Sequence, residues 1–194
     1  ALLEALSPGR GQHVLDVGCG GGLTSAAIAE AVGEDGRVLG VDVSRVILDV
    51  ARARFADRAN LHFELSDAGS HPFEPEIFDV ITSRFGVMFF HDPERAFTNI
   101  RRAAREGARL TFICWRAMEE NHWMAVPAQA AFSVLPAPER PGPEEPGPFS
   151  FASEERVRRI LGTAGFTDVA LAPVDQEVTL GPVDRAVDWL TKMG

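Results

Sequence analysis

Short apolar runs and amphipathic stretches alternate along the first 115 residues of the chain. Residues 14–17, 37–41, 61–65, 78–83 and 110–115 read as strands. The intervening stretches have helical spacing. Residues 23–32 form one such stretch. Ser44 is placed to cap a helix through Phe55, with Leu48, Ala51 and Phe55 on one face. Asp92-Pro93-Glu94 combines a cap, a proline in the first turn and an early acid. The helix it starts turns Phe97, Ile100 and Ala104 toward the sheet, and Gly107 is placed to end it. Strand–helix alternation of this kind predicts a parallel sheet in an α/β fold.

Beyond Trp115 the rhythm changes. Residues 121–135 predict a helix that Pro127 divides in two. Residues 136–148 hold six of the thirteen prolines of the chain. Such a stretch is either a lid over a site or a passive linker. Ser153 caps a further helix with Val157, Ile160, Leu161 and Ala164 inward and Gly165 at its end. Residues 169–180 predict strand, and 182–192 a last helix.

The organising motif is Val14-Leu15-Asp16-Val17-Gly18-Cys19-Gly20-Gly21-Gly22, four strand residues running into a glycine turn that opens a helix. Glycines permit positive φ and close approach of backbone to a ligand. The helix behind them offers unpaired N–H groups and the positive end of its dipole. Together these make a nucleotide-type site in a doubly wound sheet. Leu23 stands where a dinucleotide fingerprint wants glycine or alanine, and no lysine is near for a phosphate loop. Asp42, ending the second strand, can accept from both ribose hydroxyls of an adenosine ligand. NAD enzymes use the same position, so Asp42 alone leaves the cofactor open.

The order Asp16-x-Gly18-x-Gly20-x-Gly22, Asp42, Asp67, Phe78-Asp79-Val80-Ile81, Arg84-Phe85-Gly86 and Asp92-Pro93 resembles the class I S-adenosylmethionine-dependent methyltransferases. The likeness is to their small-molecule branch, among the quinone-biosynthesis C-methyltransferases and their relatives. It covers residues 10–115 well and weakens toward Phe166. The resemblance implies a Rossmann-like sheet of seven strands, mostly parallel, with helices on both faces. The insertion after strand five, residues 116–152, would be a lid or substrate segment. S-adenosylmethionine would be the donor, and a small molecule the acceptor over strands four and five. Gly18 and Gly20 would lie under the methionine part, with Asp16 positioning its amino group and Ser83 lining the same end. Asp42 would hold the ribose and Asp67 the adenine amino group, with Val43 and Ala68 beside them. Arg105-Glu106-Gly107-Ala108 departs from the Lys-Pro-Gly-Gly common in the family, at a turn remote from the cofactor.

In-line transfer from a sulfonium donor mainly requires alignment of acceptor, methyl carbon and sulfur. Aromatic faces favour the positive sulfonium, which singles out Phe85, Phe89 and Trp115. An acceptor with a phenolic proton would benefit from a base, and His91 and His122 are the candidates. Trp115, Asn121 and Trp123, with Phe85, are the expected acceptor contacts. Ser83-Arg84-Phe85-Gly86 lacks the Asn/Asp-Pro-Pro-Tyr of base and amide N-methyltransferases, and no cluster of acids follows strand four to hold a divalent metal.

Length fits one domain over residues 1–194. The chain opens in mid-helix pattern and stops before an expected last strand, so it reads as incomplete at both ends. A net charge of −9 without a basic stripe argues against nucleic acid as a partner. No apolar run reaches membrane-span length, and two cysteines are too few for a disulfide framework. The expected setting is the cytoplasm, with a homodimer as one possible assembly. Two rival functions remain. A nicotinamide oxidoreductase is disfavoured by Leu23 and by the absence of tyrosine. A non-catalytic S-adenosylmethionine-binding module would share every motif named above.

Overall fold

A computed structural model describes residues 2–136, 142, 144–177, 181, 182 and 185. Five parallel strands form one sheet in the order β3-β2-β1-β4-β5. They are β1 (His13–Val17), β2 (Arg37–Asp42), β3 (Leu61–Leu65), β4 (Phe78–Arg84) and β5 (Ala104–Ile113). The helices are α1 (Leu2–Leu6), α2 (Leu23–Val32), α3 (Arg45–Arg54), α4 (Pro93–Ala103), α5 (His122–Phe132) and α6 (Glu154–Thr163). Strand order reverses between β1 and β4. This reversal opens a crevice at the carboxyl ends of those two strands, where doubly wound sheets bind ligands.

Alternation along the strands divides the core between two sheet faces. Leu6 of α1 and Ala26, Ile28 and Val32 of α2 pack on Val14, Val38, Leu61 and Val80. Phe97 and Ile100 of α4 and Val157, Ile160 and Leu161 of α6 cover the other face, on Leu15, Val41 and Ile81. Two predicted caps are formed. The Asp92 carboxylate accepts from the Arg95 N–H at 3.0 Å, and the Ser153 hydroxyl accepts from the Arg156 N–H at 3.3 Å.

Several sequence expectations need correction. Helix α4 ends at Ala103, four residues before Gly107, and Ala104 already pairs with Phe78 as the first residue of β5. Between Phe78 and Val80 the β5 register jumps from Ala104 to Arg109, so residues 105–108 bulge out of the strand. Gly107 supplies the left-handed residue there, with φ +74°. An ion pair at 2.6 Å from Arg105 to Asp79 ties the bulge down. The glycine therefore serves a kink inside a strand and ends no helix. Pro127 removes one donor from α5 without dividing it. Residues 169–177 form no strand, so the described sheet has five strands against the seven implied. The predicted helix 182–192, the segment 137–141 and Pro143 fall largely or wholly outside the described residues. Among the described residues, no helix is long and apolar enough to cross a membrane.

Candidate active site

The crevice at the β1/β4 reversal is a cleft of about 320 Å³. Gly18 stands at the end of β1, with Asp42 and Val43 at the end of β2 and Ser66, Asp67 and Ala68 after β3. Arg84, Phe85, Gly86, Phe89 and Phe90 line the β4 side. Seven of the sequence-derived candidates are thus brought together: Gly18, Asp42, Val43, Asp67, Ala68, Phe85 and Phe89.

Two glycines of its lining meet in close contact. A Cβ on Gly18, whose φ is +68°, would lie 2.8 Å from the Gly86 Cα. A Cβ on Gly86 would lie 2.7 Å from the Val17 carbonyl oxygen. The Ser83 hydroxyl fixes this contact from below, donating to Val17 O at 2.7 Å and accepting from Gly86 N at 3.1 Å. Ser83 is fully buried and acts through the turn it holds. Sequence reading passed over Gly86 as an individual residue. Its signal was the Arg-Phe-Gly motif, but the need for glycine arises from a strand far away in the sequence.

Both acids of the cleft are oriented by backbone. Asp42 accepts from Gly20 N at 2.9 Å and from Ser44 N at 2.8 Å, which joins the glycine turn to the start of α3. Gly20 thus takes part through its N–H. Asp67 accepts from Gly69 N and from the Ser70 hydroxyl, each at 2.9 Å. Each carboxylate oxygen retains lone-pair capacity for a ligand hydroxyl or amino group.

Asp16 lies beneath the glycine turn and does not line the cleft. It is 1% exposed, and Oδ2 accepts from the Ser25 hydroxyl of α2 at 2.6 Å, while Oδ1 has no partner. Its register partner on β4, Thr82, also keeps a buried hydroxyl without a partner. Burial pushes the Asp16 carboxyl up to about 6, opposed by the Ser25 hydrogen bond and the Arg84 charge. The folded state therefore holds the proton more tightly than the unfolded one. Stability from this group is full below the ordinary value of 3.8 and is lost as pH rises through about 6. Asp16→Asn keeps an acceptor for Ser25 and removes the charge. It is expected to abolish that decline, on the order of 3 kcal/mol at neutral pH. Urea melts of both proteins at pH 5 and 8 check this, and an equal pH dependence in the two would refute it.

The acceptor candidates divide. Phe85 holds a left-handed φ of +66°, rare for a bulky residue and a form of strain found at functional sites. Its ring stacks on Trp115 at 4.3 Å between centroids and 10° between planes, and Trp123 tilts against Trp115 at 5.6 Å. Trp115 and Trp123 therefore stand behind Phe85 and outside the cleft lining. The Asn121 amide donates to the Arg116 and Ala117 carbonyls, fixing the turn ahead of α5. His91 and His122 are exposed, and neither lines the cleft. Residues 147–150 are tied to the segment after β4: Ser150 Oγ and Gly147 N both donate to the Met88 carbonyl, at 2.6 and 3.1 Å. Among the described residues, no group of three or more His, Cys, Asp or Glu is placed to hold a metal ion.

Residues 14–107 match the family described as "Methyltransferase domain". An O-methyltransferase of Pyrenophora dematioidea is 35% identical over 113 residues, 57% of this chain and 42% of that protein. A ubiquinone biosynthesis O-methyltransferase of Coxiella burnetii is 33% identical over 129 residues, 66% of this chain and 54% of that protein. The chain thus spans about half the length of these curated relatives. The crystal structure of a SAM dependent methyltransferase from Aquifex aeolicus superposes with a TM-score of 0.63 at 25% identity, covering 84% of this chain and 76% of that one.

Proposed function

We infer, from a chain whose residues 14–107 match the methyltransferase domain family, that this protein transfers a methyl group from S-adenosylmethionine to a small molecule. The observation that carries the reading is the Gly18–Gly86 contact at the strand reversal, with the two backbone-oriented acids beside it. The cleft fits an adenosyl ligand on its own terms. Its floor would be filled by any Cβ, its acids keep acceptor capacity, and the buried Ser66 hydroxyl on its wall has no partner.

In this reading Asp42 takes the ribose hydroxyls and Asp67 the adenine amino group, with Val43 and Ala68 against the base. Gly18 and Gly20 give backbone room to the methionine part. Asp16 acts from below, by holding α2 and the turn through Ser25. When bound, S-adenosylmethionine supplies a methyl group already activated on a sulfonium. The chain's residues then align an acceptor and keep water out. Phe85, braced by Trp115, and Phe89 and Phe90 offer aromatic faces to the cationic end. No histidine stands at the cleft, so we assign no general base. The names of the relatives favour an oxygen acceptor over carbon, on a quinone, phenol or specialised metabolite.

Calorimetric titration with S-adenosylmethionine, S-adenosylhomocysteine and NAD tests this first. Micromolar binding of the first two with silence from NAD is expected, and NAD binding alone would refute the assignment. Asp42→Ala is expected to weaken S-adenosylhomocysteine more than tenfold, the worth of a charge-assisted hydrogen bond at about 1.5–3 kcal/mol. Unchanged affinity would remove the ribose role. A binding module without catalysis would pass both tests and fail a methyl-transfer screen over phenols and hydroquinones.

A further inference from the structure

The cleft is electrostatically two-ended. Its charged lining residues are Asp42, Asp67 and Arg84. The acids sit at the ends of β2 and β3, and each already accepts two hydrogen bonds, Asp42 from the glycine turn and from Ser44, Asp67 from its own loop. Arg84 sits at the end of β4, and its side chain makes no hydrogen bond or ion pair with another described residue. It shares a sheet face with Thr82, the register partner of Asp16, and its charge is felt by that buried carboxyl. The guanidinium thus serves the β1/β4 end of the cleft.

Around it the wall is aromatic. Phe85, Phe89 and Phe90 follow within the next six residues, and Trp115 backs the strained Phe85 ring. A planar guanidinium beside flat apolar faces matches a planar ligand with a carboxylate at its edge. Arginine takes a carboxylate with two parallel hydrogen bonds, and lysine does so only as a point charge.

We propose that Arg84 is an acceptor-recognition residue that anchors the carboxylate of an aromatic acid against the Phe85–Phe89–Phe90 wall. The proposal rests on the cofactor reading above and narrows its acceptor to organic anions.

The test uses the chain loaded with S-adenosylhomocysteine, with benzoate and its neutral analogue benzyl alcohol as probes, followed by ligand-observed NMR. The unmodified protein is expected to prefer benzoate. Arg84→Gln is expected to lose benzoate affinity at least tenfold while binding benzyl alcohol and S-adenosylhomocysteine as before. Arg84→Lys should retain part of the preference. Equal binding of the two probes, or of neither, by the unmodified protein overturns the proposal. So does a different pattern, in which Arg84→Gln weakens S-adenosylhomocysteine yet leaves 5′-methylthioadenosine unaffected. The guanidinium would then belong to the cofactor's own carboxylate. Failure of the unmodified protein to bind S-adenosylhomocysteine would overturn the cofactor reading itself, and the proposal with it.

Discussion

Phe97→Ala is expected to remove about 3–5 kcal/mol of stability, the usual cost of emptying a buried phenylalanine site. Phe97 is fully buried on α4, and four phenylalanines surround it. Phe90 and Phe166 meet it edge-on at 5.9 and 6.2 Å, and Phe112 and Phe151 lie tilted at 5.8 and 6.1 Å. They come from the cleft wall, the stretch after α6, β5 and the segment leading into α6. No single neighbour can relax into the space without detaching from its own element, so the cavity would stay largely open. For a domain of this size the melting temperature should fall by roughly 6–20 °C. The denaturant midpoint should fall at unchanged slope, and Phe97→Leu should lose clearly less. A loss below about 1 kcal/mol would mean that the four-way packing does not hold in solution. Because Phe90 is both a neighbour of Phe97 and a cleft residue, ligand affinity should fall along with stability.

What the sequence disclosed and what it withheld follow from the range of the interactions. Asp42 was legible as a cleft residue because an acid at a strand end is a local signal, although its bond from Gly20 N comes from a distant turn. Asp92 and Ser153 were legible as caps for the same reason. The boundary between α4 and β5 was not. Gly107 is a correct breaker signal, but the structure uses it for a bulge, and only pairing with β4 decides between the two. Asp16 shows the same limit at the site. Its place in the motif predicted a residue facing the ligand, while the register of β1 turns it beneath the glycine loop toward Ser25. His91 and His122 fit a base by their chemistry and by their nearness to the expected site, and neither property says which way a loop faces. Trp115 and Trp123 lie outside the cleft lining, Trp115 stacked on Phe85 and Trp123 tilted against Trp115. Stacking order depends on the left-handed backbone at Phe85, which no sequence pattern announces.

The same argument makes Gly86 the sharpest probe of the site. Its φ is −79°, ordinary for any residue, so Gly86→Ala carries no backbone strain and tests space alone. The added methyl would sit 2.7 Å from Val17 O, 2.9 Å from Gly18 Cα and 3.0 Å from Ser83 Oγ. Two of these atoms are backbone, and the third is held by the Ser83 hydrogen bond to Val17. Relief therefore requires the ends of β1 and β4 to part. Overpacking of this kind costs about 1–3 kcal/mol of stability. Function should suffer more, because the displaced segment is the floor of the cleft. S-adenosylhomocysteine affinity is expected to fall at least a hundredfold, equivalent to about 3 kcal/mol, against the tenfold of Asp42→Ala. Gly18→Ala should be as severe, since it adds a residue with a side chain at φ +68° to the same collision. Gly162→Ala is the control. It lies in α6 with nothing within 4 Å of the added methyl, and should gain about 0.5–1 kcal/mol from helix propensity. If Gly86→Ala binds S-adenosylhomocysteine as the unmodified chain does, the two glycines do not form the cofactor floor, and the site must be sought elsewhere along the strand ends.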